Sequence, residues 1–310
     1  MMRFHDIPVW VWKAALALVA AIWGGAFVVV KGALDDAPPV WMLALRFGAT
    51  AAILCVVFHR RLKEHLDAGH LCRGTVLGSL SGPAFMAQFA GLADTTPSKS
   101  AFITATYCVL VPFLNWIIVR RHPRSLHLVA AALALAGIGF ISFGRDFSMV
   151  LTEGDFITFA CAVLFALHIV CVARYAQDSD IMTLTIVQIA VSAGISLVWA
   201  VAFEPFPALG AAGPDFWVSF AYLVILSSCF AMVVQNVAQS IVEPATAALL
   251  LSLESVFAVV FSVVFYHEAL TPRLIVGFVL IFLAILVSET LPPLLGKSVA
   301  RNVQAESPHR

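Results

Sequence analysis

Lysine, arginine, aspartate and glutamate are spaced so widely along this chain that stretches about as long as a bilayer is thick run between them. A hydrocarbon core takes about 20 mostly apolar residues to cross as a helix. Stretches free of those four residue types run from Ala14 to Val30, Gly74 to Ala93, Ser100 to Val119, Ser125 to Gly144, Phe156 to Ala173, Ile181 to Phe203 and Phe216 to Val242. Two more carry one such residue each: Ala37 to Phe58, interrupted by Arg46, and Pro244 to His267, interrupted by Glu254. A tenth, Leu274 to Ser288, is short by itself and is extended toward the interface by Glu289 and Leu291.

Composition excludes the soluble alternative. Hydrophobic residues make up 61% of the chain and charged residues 12%, against about 45–50% and 25% in soluble domains. Eighteen basic and eighteen acidic residues leave no net charge, so no basic surface exists for nucleic acid to neutralise. Arg3 and Lys13 precede the first apolar run. That run exceeds a signal-peptide core and nine spans follow, so an uncleaved first helix is expected. The short connections leave no room for a soluble catalytic domain.

Basic residues orient the spans. With the N-terminus inside, thirteen Lys and Arg fall on inside segments and four on outside segments. Both termini are therefore expected in the cytoplasm of a multi-pass protein of the plasma (bacterial inner) membrane.

Shifting the chain against itself by 147 residues aligns Ser81–Val119 with Ser228–Tyr266 without a gap. Identities fall at Ser81/Ser228, Ala84/Ala231, Gln88/Gln235, Pro97/Pro244, Ala101/Ala248 and Val109/Val256. The matched blocks are spans three and four against eight and nine. An offset of five spans is odd, so the halves must run through the membrane in opposite senses, which is the inverted-repeat plan of secondary transporters. The expected fold is an all-α integral membrane protein of ten transmembrane helices in two inverted five-helix repeats, 8–147 and 152–292, with a polar cytoplasmic tail at 293–310.

Five segments carry a family likeness. Trp23-Gly24-Gly25-Ala26-Phe27 opens the first span and Leu45-Arg46-Phe47 lies in the second. Ser98-Lys99-Ser100-Ala101-Phe102 leads into Pro112, and Leu253-Glu254-Ser255-Val256-Phe257 precedes His267-Glu268-Ala269-Leu270-Thr271. Together they resemble the EamA branch of the drug/metabolite transporter superfamily, as two EamA repeats over nearly the whole chain. The resemblance implies ten helices, cytoplasmic termini, alternating access and export of small metabolites, amino acids among them. Ser255 stands where the family commonly has proline, and Arg120-Arg121 where it commonly closes the fourth span with glutamate.

Polar residues within the spans are the site candidates, because a polar group in hydrocarbon needs a partner or water. A guanidinium at Arg46 offers a planar fork for a substrate carboxylate; a structural ion pair or a snorkel to the headgroups is the plainer alternative. Glu254, near mid-span, is a carboxylate placed to load and release a proton and so drive antiport, or else a packing contact. Its mate in the 147-residue register is Tyr107. Gln88 and Gln235 occupy matching positions and suit either a cavity wall or interhelical hydrogen bonds. Gln188 and His168 are further candidates, the histidine as a proton relay. Gly74, Gly78 and Gly82 mark a close helix approach, and Pro83 a kink. Spans five and ten carry little polar character and belong at the periphery, leaving eight to line the cavity. Trp10, Trp12 and Trp41 sit where interfacial anchors are expected, whereas Trp23, Trp116 and Trp199 lie deeper, where one of them stacks on substrate or all serve packing.

The function read from these features is secondary transport of a small zwitterion such as an amino acid, with export of neutral or cationic drug-like solutes as the alternative. The expected partners are a small-molecule substrate, the lipid bilayer and protons as the coupling ion. A membrane enzyme would need clustered His and acidic residues, and His267-Glu268 is the one adjacent pair near a span end. Six cysteines in apolar runs, without a C-x-x-C spacing, indicate neither disulfides nor zinc. No cofactor, metal or catalytic residue is expected.

Overall fold

In the computed structural model of the chain, the described residues are 7–34, 36–120, 125–142, 152–266, 271–273, 275–277, 279–280, 282–284 and 287. Apart from short connections they are helical and include no strand, as a chain in lipid must be when no water is present to satisfy its backbone. The helices are α1 (Val9–Ala33), α2 (Pro39–Val57), α3 (His59–His65), α4 (Ala68–Ala93), α5 (Pro97–Ala105), α6 (Tyr107–Val119) and α7 (Ser125–Ser142). After the connection come α8 (Glu153–Tyr175), α9 (Ile181–Phe203), α10 (Pro214–Tyr222), α11 (Ala231–Gln239), α12 (Pro244–Leu251) and α13 (Leu253–Tyr266). A π-helical segment, Leu223–Phe230, joins α10 to α11.

Eight of these runs are long and apolar enough to cross a membrane; α5 with α6, α10 to α11, and α12 with α13 count as one run each. The fifth and tenth spans correspond to shorter apolar helices, Ser125–Gly137 and Ile275–Ala284. His267-Glu268, Glu289, Arg121 and the tail from 293 lie outside the described residues.

Local chemistry explains the helix ends. Prolines occupy the first turn of α2, α5, α10 and α12, where the missing N–H costs nothing. Thr152 and Asp155 form a reciprocal capping box at α8. Asp67, Thr96 and Asp180 accept from the backbone N–H groups of His70, Lys99 and Thr183.

The fourth and ninth spans break at matching places. α5 stops at Ala105 and α6 restarts at Tyr107; α12 stops at Leu251 and α13 restarts at Leu253. Hydroxyls take up the freed carbonyls: Thr106 Oγ1 donates to Ile103 O at 2.6 Å, and Ser252 Oγ to Leu249 O at 2.7 Å. These breaks put Tyr107 and Glu254 in the first turns of the second pieces.

The glycine stripe does what its spacing predicts. A Cβ on Gly74 would meet Val187 at 2.5 Å, and one on Gly78 would meet Val191 at 2.6 Å and Gln188 O at 2.7 Å. The backbones of α4 and α9 therefore lie closer than side chains elsewhere permit, and Ser81 Oγ and Ser192 Oγ bridge them at 2.9 Å. At the far end of the same helix α9, the Glu204 carboxylate accepts from the first N–H groups of α2, Val40 N at 3.1 Å and Trp41 N at 2.9 Å. Trp41 is thus a buried partner of Glu204 and not a free interfacial anchor, and Trp12 is buried as well. Trp10 is exposed at its helix end.

Candidate functional site

Residues of α1, α2, α4, α6, α8, the π segment, α11, α12 and α13 surround one central cavity. Arg46, Gln88, Tyr107, His168, Gln235 and Glu254 face it, among Trp23, Phe27, Phe85, Phe89 and Phe165. Its volume is about 40 Å³, room for roughly two or three waters at about 15 Å³ each. A solute enters only if the walls move apart.

Arg46 is 2% exposed, which removes the snorkelling alternative. The ion-pair alternative also gives way, because its recorded partners are hydroxyls, a carbonyl and ring faces. Nε donates to Ser228 Oγ at 2.6 Å, and Nη2 to Ser227 Oγ at 3.0 Å and Ser227 O at 3.4 Å. The guanidinium lies 5.4, 5.7 and 5.8 Å from the ring centres of Phe47, Phe85 and Phe89, a cation–π setting. Nη1 has no recorded hydrogen bond among the described residues, so its two donors are left for the cavity.

The serines belong to the π segment. A π turn leaves carbonyls off the regular ladder, and Ser227 O is taken by Trp23 Nε1 at 2.9 Å as well as by Arg46. Ser228 stood out only as the repeat mate of Ser81, and Ser227 did not; a Ser-Ser pair within an apolar run was the available signal. Trp23 is the deep tryptophan that reaches the cavity, whereas Trp116 and Trp199 are exposed on the outside of the bundle.

Opposite Arg46, the Tyr107 hydroxyl donates to Glu254 Oε1 at 3.0 Å, both residues being buried. Tyr107 and Glu254 are separated by 147 residues, the repeat offset. His168 is buried beside Gln188, and neither ring nitrogen completes a hydrogen bond with the protein. Gln188 is the one candidate set back from the cavity. Its Oε1 accepts from Asn236 Nδ2 at 3.2 Å, Asn236 also reaches Thr185 at 2.9 Å, and Gln188 Nε2 is left unpartnered. The cavity wall consequently omits α9, against the expectation of eight lining spans: its glycine-mediated contact with α4 turns that helix into α4's support. Among the described residues, α7 also contributes nothing to the wall.

A second cavity of about 520 Å³ opens where α6, α8 and α11 end, lined by Asn115, His127, Arg174, Gln177, Gln239, Ser240 and Glu243 among others. At the same end Arg61 forms a forked contact with Asp180, with Nη2 to Oδ2 at 2.6 Å, and Arg73 donates to Ser179 Oγ and to Asp178 O. Burial alone would raise the Asp180 carboxyl, but Arg61 and Thr183 together hold it below the usual carboxylate value.

A bundle of membrane-length helices, two of them broken where a buried acid and phenol meet at a central cavity, is the architecture of a membrane carrier. Comparison with known proteins gives the family. The model of the EamA-like transporter family matches twice, over residues 11–143 and 152–290, and the chain belongs to that family. A protein of Archaeoglobus fulgidus named an uncharacterized transporter is 32% identical over 278 residues, covering 88% of this chain and 83% of its own. A second transporter of the same organism, also named uncharacterized, is 27% identical over 253 residues, 80% of this chain and 86% of its own. A solved crystal structure superposes with a TM-score of 0.73 at 17% identity, covering 91% of this chain and 98% of that one, a likeness of fold. The chain is thus a multi-span membrane transporter of a small-molecule substrate.

Proposed function

We propose that the protein exports a small zwitterionic metabolite of the amino-acid type across the plasma membrane, both termini being cytoplasmic, by alternating access of two inverted repeats, in exchange for protons carried by Glu254. The observation that carries this reading is the pairing, in one cavity, of a guanidinium with two unclaimed donors and a carboxyl held by a phenol. A carboxylate suits the first and an ammonium group the second. Gln88 and Gln235 add amide donors and acceptors from matching helices, and the phenylalanines favour an apolar side chain on the substrate.

The test is counterflow in proteoliposomes. Labelled amino acids, aromatic and aliphatic first, should exchange with unlabelled solute inside, and an imposed pH gradient should drive accumulation. Absence of exchange for every amino acid, together with exchange of a lipophilic cation, would establish the alternative supported by the aromatic wall around Glu254.

A further inference from the structure

One end of the molecule is latched, and the other carries the same parts unlatched. At one end Lys31, in the last turn of α1, reaches across to the C-terminus of α4, where Nζ donates to Leu92 O and Ala93 O at 2.9 Å each. The last carbonyls of a helix have no partner within it, and a cation there is doubly suited, to their hydrogen bonds and to the negative end of the dipole.

The second repeat holds the equivalent groups at the opposite end. Shifted by 147 residues, Leu92 and Ala93 become Gln239 and Ser240, at the end of α11. The same shift puts Asp178 at the place of Lys31, and the cation nearest to it is its ion-pair partner Arg174, one residue before the end of that repeat's first helix, α8, at Tyr175. Arg174, Gln239 and Ser240 all line the 520 Å³ cavity.

The parts of this second latch lack their partners. No hydrogen bond to the carbonyl of Gln239 or Ser240 comes from the described residues. The Gln239 side chain is 1% exposed, yet both its amide atoms are without a partner. Groups so placed are costly to leave unpaired. Arg174 meanwhile makes an exposed ion pair with Asp178, Nη1 to Oδ2 at 3.1 Å, of the kind that contributes little and is easily exchanged.

We infer that Lys31 and Arg174 are reciprocal gate latches: Lys31 on Leu92 and Ala93 holds one end shut in this structure, and Arg174 leaves Asp178 for the carbonyls of Gln239 and Ser240 when the other end shuts. The inference rests on the alternating-access part of the proposed function. The two latches are exclusive, because the cavity that Arg174 and the end of α11 both line must close for the second to form, and the central cavity then opens past Lys31.

The test places a cysteine at Asn115, in the wall of the 520 Å³ cavity, and follows its labelling by a small thiol reagent, read at residue 115 by peptide mass in the full-length protein in proteoliposomes. Lys31→Met removes the latch that holds this state, so labelling should slow several-fold. Arg174→Met removes the latch that ends it, so labelling should quicken, and Arg174→Lys should restore the original rate. Lys31→Gln serves if Lys31→Met does not fold. Shifts in the same direction, or no shift in either variant, overturn the proposal. Counterflow is measured on the same vesicles: opposite shifts without exchange of any tested solute leave the latches standing and remove the transport reading, whereas normal exchange with unmoved labelling does the reverse.

Discussion

The hydroxyl of Tyr107 donates to the carboxylate of Glu254 at 3.0 Å, and the two residues hold the same place in the two repeats, 147 positions apart. Equivalent positions touch one another only where the relation between the repeats has its axis. The pair therefore marks the centre of the molecule, and it sits at the breaks of the fourth and ninth spans. An acid in one half faces a phenol in the other, so the axis is chemically asymmetric even where the backbone repeats itself.

That asymmetry makes Glu254 the group on which the proposed proton coupling is tested. Glu254→Gln keeps the shape and the hydrogen bond with Tyr107 while removing the charge change. The variant should retain solute-for-solute counterflow and lose accumulation driven by a pH gradient. Full gradient-driven accumulation in Glu254→Gln would exclude Glu254 as the proton carrier, and His168 would be examined next.

Tyr107→Phe removes the phenol from a buried carboxyl, which should cost about 1–3 kcal/mol. Combined with Glu254→Leu, which removes the acceptor, the loss should be smaller than the sum of the single losses, as expected for residues in contact. Thermal unfolding in detergent measures all three variants, and additive losses would mean that the hydrogen bond carries no stability.

For Arg46, a lysine retains the charge but not the fork. Arg46→Lys should lose the simultaneous grip on Ser227 and Ser228 and the stacking on three phenylalanines, reducing counterflow at least about tenfold, the effect of roughly 1.4 kcal/mol. Ser228→Ala removes one contact and leaves the guanidinium in place, so its defect should be milder. An equal defect in both would shift the role of Arg46 from the solute to the π segment.

The α4 contact with α9 makes a prediction about stability alone. Gly78→Ala puts a methyl group 2.6–2.8 Å from Val191 and Gln188 O and should destabilise the fold by about 1–3 kcal/mol. Gly48→Ala and Gly194→Ala, whose added methyl groups meet nothing within 4 Å, should be neutral or stabilise by up to about 1 kcal/mol, because alanine is the better helix former. Matching melting temperatures for Gly78→Ala and the other two would contradict the close approach.

Asp180 gives a pH dependence at the loop between α8 and α9. Its carboxyl is held below the ordinary value of 3.8, so its contacts with Arg61 and Thr183 add stability fully present above that value and lost as the pH falls through the lower, folded one. Asp180→Asn should lower the melting temperature at pH 7, and the gap from wild type should narrow in acid below about pH 4. A gap that stays constant into acid would mean that the ion pair contributes nothing.

Much of this architecture was readable from residue order. Eight runs of membrane length follow from the gaps between charges, the repeat from six identities at one offset, and the α4 approach from three glycines four residues apart. Gln88 and Gln235 were paired by the same offset and both face the cavity. The identity of partners was not readable in this way. Arg46 invited an acidic partner, yet it holds two serines of the π segment, because a helix with an extra residue in one turn shifts the following side chains by an amount that hydropathy does not record. Glu204 and Trp41, 163 positions apart, carried no signal that they would meet.

Taken by itself, the order of residues determined that this chain crosses a membrane many times as helices, since about 20 uncharged residues in hydrocarbon satisfy their backbone in no other way within one segment. It also determined that the chain is built twice over, because a register of matched residues survives without any contact being known. Only the tertiary structure decided which polar groups share the cavity, that α9 stands behind α4 instead of lining it, and that Lys31 reaches the last carbonyls of α4. Those outcomes depend on distances between helices, which are set by side-chain volume and hydrogen bonding across segments far apart in the chain, and no pattern within one segment encodes them.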